Sequence, residues 1–583
     1  GDSCRRRLLH FIALFRKTGV PMKGYLITGI VVGAAVALAC ANGGAAQTLP
    51  DQVDERLRAR LEAAGVPARA VVGDELVYAS IALPRFYEIR TYRPAWSDDS
   101  GPTADTDSLV AAIRDADREG LESEHYHLAE IVETLKEIRE NQALRRPLDP
   151  RRLADLDLLL TDAFLLYASH LLAGRVNPET IDPEWHANRR DSDLSVVLQD
   201  ALASGRFRDT LEQLLPHHVG YRRLRQTLAQ YRELAAQGGW QKVPEGPKME
   251  KGDRGDRIRL LRSRMEAAGA PVRTAASHDD LFDEALEQTV RTFQRRYGLD
   301  VDGVVGQATL AALNIPVEAR IDQIEVNLER WRWLPQELGP RHVIINIANF
   351  DLDVVEGGRT VLSMLAIVGR PYRRTPIFSD RMTYLVLNPH WHVPTSIAVL
   401  DILPTLRTDA GYLASQNMRV LQGWGSQERE IDPRSINWSE VSAANFPYRL
   451  RQDPGPGNAL GRVKFMFPNK FNVYLHDTPA RDLFARTRRT FSSGCIRIEK
   501  PIDLAEYLLR GDPQWTREKI LAAIDRRVEQ TVRLPEAIPI HLLYWTAWAD
   551  EDGSIQFRND IYDRDRLVLE ALRSGPPEPT EEK

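Results

Sequence analysis

Apolar residues recur at helical spacing through the first half of the chain and switch to strict alternation after about residue 340. The 3.6-residue period covers 109–116, 127–139, 153–172, 194–203 and 221–236, and it predicts a helical domain over 76–245. The stretch FYEIRTYRPAWSDDSG (86–101) interrupts it as an aromatic turn, whose Asp98 and Asp99 read as solvated turn residues rather than ligands. Residues 47–75 read as a polar linker. After a break rich in Gly, Pro and Lys at 246–255, Ile258, Leu261, Met265 and Ala268 form one helical stripe, and Phe282, Leu286, Val290, Phe293 and Tyr297 form another. GLDVDGVVGQATLAALN then supplies a Gly-Asp turn and a short third helix, giving a compact unit over 250–316. Ile321, Ile324, Leu328 and Trp331 predict a linker helix within 317–340, closed by Pro335 and Gly339-Pro340.

Alternation over 343–347, 352–355, 361–368 and 382–387, with Gly357-Gly358 between the second and third runs, predicts a β-domain opened by a hairpin. That domain is expected to span 341–535, followed by a β extension at 536–573 and a disordered tail at 574–583. Within it, 395–460 is rich in Pro and Gly and shows weak helical pieces only. A stretch so long inside a compact domain reads as a capping insert, whose Tyr412, Trp424, Trp438 and Tyr448 are candidates to close over a ligand. The fold class is multidomain α+β.

A length of 583 residues allows two to four domains, and a net charge of −5 with pI near 6.3 leaves no electrostatic footprint for nucleic acid. Met22-Lys23, an apolar run at 25–39 and the small residues Asn42-Gly43-Gly44-Ala45-Ala46 read as a signal peptide cleaved near Ala46. The expectation is export to the periplasm or cell envelope. Two alternatives stay open, an uncleaved anchor and lipidation at the weak lipobox Leu38-Ala39-Cys40; in those cases a membrane is a partner. Residues 1–21 are upstream sequence or a longer charged region. No later window is read as long and apolar enough to cross a bilayer.

Cys4 and Cys40 fall in that leader, which leaves Cys495 as the one cysteine of the mature chain, an odd structural element in an oxidising compartment. It lies in FNVYLHDTPARDLFARTRRTFSSGCIRIEK, nineteen positions after His476. Residues 471–475 read as a short strand delivering His476, a base, to its end. Ser492, Ser493 and Gly494 form a tight turn whose amides can face a developing oxyanion. Arg481, Arg486, Arg488, Arg489 and Arg497 crowd the segment, and positive charge lowers a thiol pKa. The plain alternative is a small buried cysteine and a histidine ending a strand. His390 and His392, two apart on a strand, have no third ligand; no metal and no cofactor is expected.

Two sets of residues resemble known families. The unit at 250–316 is similar to the three-helix peptidoglycan-binding domain in its FQRRYGL and D-G-x-x-G-x-x-T-x-x-A-L pattern. NPHWHVP (388–394), GPGNALGRVKFMFPN (455–469), YLHDTP (474–479) and FSSGCIRIEKP (491–501) together resemble an L,D-transpeptidase of the YkuD type, in its long YcbB-like periplasmic subgroup with a helical scaffold domain. Where the broader family has histidine before the glycine, this chain has Ser493, as the long subgroup does. The resemblance implies Cys495 as nucleophile, His476 as general base and acid, and the Gly494 and Cys495 amides as the oxyanion hole. It implies substrate contacts at Arg497, Ser493, Ser492, Tyr474 and Trp391. Arg497 has a plain reading too, as a structural ion pair. The implied reaction takes a tetrapeptide stem of peptidoglycan, releases D-alanine, and passes the acyl group to a neighbouring stem's side-chain amine in a 3→3 cross-link; water as acceptor would make a carboxypeptidase. Partners are then peptidoglycan stems and glycan, with other wall-synthesis enzymes as further candidates. The resemblance also implies acylation by carbapenems, slowing as pH falls below the thiol's pKa. A papain-like or NlpC-type peptidase places its cysteine before its histidine, and a sortase spaces the pair farther apart. A catalytically inert wall-binding scaffold is the non-enzyme alternative.

Overall fold

The 153–172 stripe forms the helix Pro150–Ala173, whose first turn is capped by the Asp149 carboxylate accepting from the Arg151 amide. It is long and apolar enough to span a bilayer, a test that a buried core helix also passes, which corrects the expectation that no such window follows the leader. Its surroundings are protein. Helices Ala104–Arg114, Leu128–Ala143 and Leu194–Ser204 pack round it, and the aspartates on it organise the domain from within. Asp157 accepts from the amides of Ala95 (2.9 Å) and Trp96 (3.0 Å) and from the Tyr87 hydroxyl (2.7 Å), which pins the aromatic turn, whereas Asp98 accepts from Ser100 in a local turn.

This computed structural model describes residues 47–65, 70–186, 189–269, 279–409 and 411–575. The leader at 1–46 lies outside the described residues, as does the expected tail beyond residue 575. The supposed linker at 47–75 contains the helix Leu49–Ala63, opened by a Thr48–Asp51 capping box and burying Val53, Leu57 and Leu61 on Pro150–Ala173. Three apolar residues spaced four apart among charged neighbours suffice for one buried stripe. The second unit has helices Asp256–Ala267, Glu284–Arg296 and Gln307–Leu313, and its expected core residues are buried apart from Ala268, which is half-buried. The helix Val317–Arg332 is more than a linker: it packs along Val219–Ala236 and buries Glu329, Arg330 and Arg332. Glu329 accepts from the Val176 amide (2.7 Å) and Arg332 (2.8 Å), and Arg330 pairs with Asp565 (2.6 Å), so this helix joins three parts of the chain.

The β-domain is built on nine strands, labelled here in chain order: β1 Arg341–Asn346, β2 Asp351–Glu356, β3 Arg359–Gly369, β4 Phe378–Leu387, β5 Val463–Met466, β6 Leu475–His476, β7 Thr490–Ser492, β8 Ile496–Ile498 and β9 Gln530–Leu543. Their order is β7-β3-β8-β6-β5-β4-β9-β1-β2, and β2 also pairs with β3, so eight strands close a ring. The β2–β3 hairpin turns at Gly357-Gly358, where both φ are positive (57° and 78°), the backbone a two-residue turn between twisted strands requires. β9 is a core strand, antiparallel to β4 and parallel to β1. The expected boundary at 535/536 therefore cuts through the sheet. Beyond β9 the chain forms a hairpin, Ala547–Ala549 with Ile555–Phe557, and a helix, Arg564–Arg573, rather than a β extension alone.

The insert also differs from expectation. Besides short helical turns it contains strands Met418–Gln422, Arg429–Ile431 and Arg449–Gln452, which form a four-stranded sheet with Trp391–His392. It has its own core of Val393, Ile402, Leu406, Leu413, Val420, Trp438 and Leu450. These strands are short, and arginine, glutamate and glutamine occupy their exposed face, so the apolar period is too brief to register.

Candidate active site

Strands β5, β6 and β8 lie side by side, and their register decides what faces outward. His476 pairs with Lys464 on one side and Arg497 on the other, and Leu475 opposes Ile496. Directly opposite residues share a face, and so do alternate positions along each strand. Lys464, Tyr474, His476, Cys495 and Arg497 thus converge, and all five line one cleft of about 850 Å³. The regular part of β6 is confined to Leu475 and His476; of residues 471–475, expected to be strand, 471–474 are irregular, and 471–473 belong to a turn organised by Asn469. Its Oδ1 accepts from the amides of Phe471 (3.0 Å) and Val473 (3.2 Å), and its Nδ2 donates to the Val473 carbonyl (2.7 Å). Asn472 takes a positive φ (54°), which asparagine tolerates, and its carbonyl faces Cys495 Sγ at 3.9 Å.

His476 is buried, and its pKa is held down at about 3, first by burial and then by Arg497, with Lys464 adding. Its Nδ1 donates to the Asp477 carbonyl at 2.6 Å, which places the ring proton there and leaves Nε2 as an unprotonated base. The Asp477 carboxylate is fixed by the Arg462 amide (3.0 Å) and by Arg481 (3.3 Å). Gly461 crosses so closely, with φ of 62°, that a Cβ there would lie 2.5 Å from Asp477 Cβ.

Burial pushes the Cys495 thiol up; the amide and hydroxyl of Tyr474, with Lys464 and Arg497, pull against it. At rest the pair is neutral thiol and neutral imidazole. Of the five arginines expected to activate the thiol, only Arg497 acts on it. Arg481 turns to Asp477, Arg489 donates to the carbonyls of Arg486 (2.7 Å) and Phe350 (3.2 Å), and Arg486 and Arg488 line a different cleft. Nearness in sequence is lost because β7 and the turn after it carry the chain across the sheet. The consequence is testable with iodoacetamide and no substrate. Because the thiolate is the reacting form, alkylation of Cys495 should climb about tenfold per pH unit from pH 6 to 8 without a plateau. A rate independent of pH over that range would show a preformed thiolate–imidazolium pair instead.

The turn before Cys495 is tied down on every side. Ser492 Oγ accepts from the Gly494 amide (3.1 Å), so the donor expected for an oxyanion is engaged within its own loop. Thr375 Oγ1 donates to the Gly494 carbonyl (2.9 Å) and accepts from the Gly369 amide (2.9 Å), while the Arg370 amide donates to the Ser492 carbonyl (3.0 Å). Ser493 accepts from Arg373 (2.9 Å), and Arg373 also pairs with Asp401 of the insert, linking the cap to the turn. Trp391, Ser492 and Ser493, candidates for substrate contact, line the cleft. The insert's expected aromatics do not: Trp438 is in the insert's own core with Tyr448 against it, and Trp424 is exposed beneath Arg449. The cap meets the cleft through Ile397, Leu400, Asp401 and Pro404. His390 lies between Asp453 (3.7 Å) and Glu529 (3.4 Å).

Sequence reasoning missed Lys464, Arg370, Asn469, Thr375 and Arg373. Lys464 alone carried a signal, as the polar position in the alternation of VKFMF, and Asn469 stood unassigned in the motif ending FPN.

Three stretches of the chain match known families: 81–228 a scaffold domain, 254–313 a "Putative peptidoglycan binding domain", and 340–516 the L,D-transpeptidase catalytic domain, YkuD. A "Putative L,D-transpeptidase" of Haemophilus influenzae is 35% identical over 252 residues, which are 43% of this chain and 50% of that protein. The chain thus spans about half the length of the curated relative it matches. Among solved structures, it is similar to an L,D-transpeptidase of Xylanimonas cellulosilytica (17% identity, 52% of this chain and 99% of that one, TM-score 0.16). It is also similar to one of Stackebrandtia nassauensis (11% identity, 52% and 96%, TM-score 0.20). The cleft that holds His476 and Cys495 lies within residues 340–516, the stretch that matches the L,D-transpeptidase catalytic domain, YkuD, on a chain whose other stretches match a scaffold domain and a peptidoglycan-binding domain.

Proposed function

We propose that this chain cross-links peptidoglycan stem peptides by L,D-transpeptidation through a thioester on Cys495. The observation that carries the reading is a thiol and an imidazole, the latter held neutral with Nε2 free, on one face of one cleft. Cys495 Sγ attacks the carbonyl carbon of the third residue of a tetrapeptide donor as His476 Nε2 takes the thiol proton. The bond to D-alanine breaks, and that proton leaves on the D-alanine amine. A neighbouring stem's side-chain amine then attacks the thioester, giving its proton to His476; the C–S bond breaks and the thiolate is reprotonated. Rotation of the Ser492 hydroxyl would release the Gly494 amide to the oxyanion, beside the amide of Cys495.

The cationic face suits a carboxylate-bearing peptide. Arg497 Nε is buried and has no hydrogen-bond partner among the described residues, and Arg370 and Lys464 stand in the same cleft. Such a substrate fits the export expected from the leader. The cap, held to the turn through Arg373, narrows access for water, the competing acceptor.

Muropeptides incubated with the full chain and resolved by mass spectrometry test the proposal. Dimers that have lost one D-alanine are expected. Loss of D-alanine without dimers would assign a carboxypeptidase, and unchanged muropeptides would favour an inert wall-binding scaffold.

A further inference from the structure

Arg486 and Arg488, close to the nucleophile in sequence, are exposed, and among the described residues neither side chain makes a hydrogen bond or ion pair. They line a second cleft, of about 1430 Å³, between the peptidoglycan-binding and catalytic domains. Arg295 enters it from the helix Glu284–Arg296, and Arg489 and Arg558 stand in its wall. The side chains of those last two donate to backbone carbonyls and to Asn349, and burial holds both guanidiniums below their ordinary basicity. Two carboxylates share the lining and both are occupied, Asp300 by Thr487 and Asp560 by the Tyr544 hydroxyl and the amides of Arg564 and Asp565. Three exposed guanidinium groups, those of Arg295, Arg486 and Arg488, therefore line a cleft in which, among the described residues, none of them pairs with a carboxylate, and the engaged guanidiniums of Arg489 and Arg558 add positive charge to its wall.

The walls are built rather than loosely apposed. Tyr297 packs on Phe557 with ring centroids 5.4 Å apart, and Arg558 Nη1 donates to the Arg296 carbonyl at 2.7 Å. At Gly298 a Cβ would meet Arg558 Cδ at 2.6 Å, so the peptidoglycan-binding unit and the segment after β9 touch without room for a side chain. Phe491, four residues before Cys495, lines both this cleft and the catalytic one. A chain lying along the arginines would reach the thioester past that ring.

We propose that the arginine-lined cleft between the peptidoglycan-binding and catalytic domains holds the carboxylate-bearing acceptor stem, whose amine reaches the Cys495 thioester past Phe491. The inference rests on the cross-linking reaction proposed above, which needs two stems bound at once. The donor occupies the cleft of His476 and Arg497, so the acceptor needs its own site. Guanidinium forks hold carboxylates by paired hydrogen bonds, and in an open cleft that attraction is screened by salt.

The test measures binding of a purified disaccharide-tetrapeptide to the full-length Cys495→Ala protein, which cannot turn it over. Two molecules per chain are expected. The double variant Arg486→Glu/Arg488→Glu, altered at exposed positions, should lose one of them or weaken it by about tenfold or more, whereas Arg486→Lys/Arg488→Lys should retain it in part. With Cys495 restored, the charge-reversed protein should release its first D-alanine per chain, the acylation step, at the wild-type rate while forming about tenfold fewer dimers. Binding and dimer yield that ignore the charge reversal would overturn the proposal. So would weaker retention on whole sacculi with an unchanged ratio of dimers to D-alanine, which would make the cleft an anchor for wall polymer. Failure of the wild-type protein to release D-alanine would count against the reaction itself, and the binding stoichiometry would still decide the cleft.

Discussion

Cys495→Ala should abolish D-alanine release and uptake of any carbapenem, and His476→Ala should slow both by on the order of a hundredfold or more. The two losses have different causes. Without the sulfur there is nothing to form the thioester, and Cys495→Ser should retain almost no activity, because a hydroxyl beside a base of pKa about 3 is far harder to deprotonate than a thiol. Without the imidazole the sulfur persists, but its proton must go to water, and burial already holds that proton tightly. His476→Ala should therefore recover part of its rate as pH rises, whereas Cys495→Ala should not respond. Rates are read as D-alanine released from tetrapeptide muropeptides. Wild-type turnover by Cys495→Ala would end the assignment.

Arg564→Ala should destabilise the protein by about 3–5 kcal/mol, the cost of stranding the carboxylate of a buried ion pair. Arg564 lies outside the matched catalytic stretch, yet it is buried against Asp182 of the scaffold domain (2.7 Å) and Glu184 (3.2 Å). It also donates to the Thr375 carbonyl (3.2 Å), and Thr375 holds the Gly494 carbonyl before the nucleophile. The scaffold segment continues the contact: Ile377 donates to the Glu184 carbonyl (3.0 Å), and His186 donates to the Ile377 carbonyl (2.8 Å). Stability and turnover should fall together, and Arg564→Lys, which keeps the charge but loses the planar fork, should fall between. Denaturant unfolding gives the first quantity and D-alanine release the second. Unfolding of Arg564→Ala at the wild-type midpoint would show that Asp182 finds another partner.

Periodicity made the long elements legible. Stripes of period 3.6 marked the scaffold helices and the peptidoglycan-binding unit, and alternation on either side of Gly357-Gly358 marked the β2–β3 hairpin. Cys495 and His476 stood out as a candidate nucleophile and base because they lie within one short block and because few residue types do this chemistry. Their surroundings did not. Lys464 meets His476 through the β5–β6 register, and Arg497 through the β6–β8 register, a relation that no spacing along the chain encodes. The arginines after His476 misled for the converse reason, since neighbours in sequence are carried apart by a sheet whose strands are only two or three residues long there. The helix Leu49–Ala63 and the strands of the insert each bury one narrow apolar face among charged residues, and that contrast is too weak to stand out over so few positions. Strand β9 runs through the expected boundary at 535/536 and contains Pro535 and Pro539, and the sheet absorbs an irregularity between Arg533 and Ile538.

The measurement closest to the central claim is intact-mass analysis of the full chain after exposure to a carbapenem, followed by peptide mapping. A strained lactam offers the thiol a reactive carbonyl and the cationic cleft a carboxylate. One drug-sized adduct per chain is expected, on the peptide containing Cys495 and missing from Cys495→Ala. A folded wild-type protein with Cys495 reduced that takes up no adduct, or carries it elsewhere, would contradict Cys495 as the nucleophile.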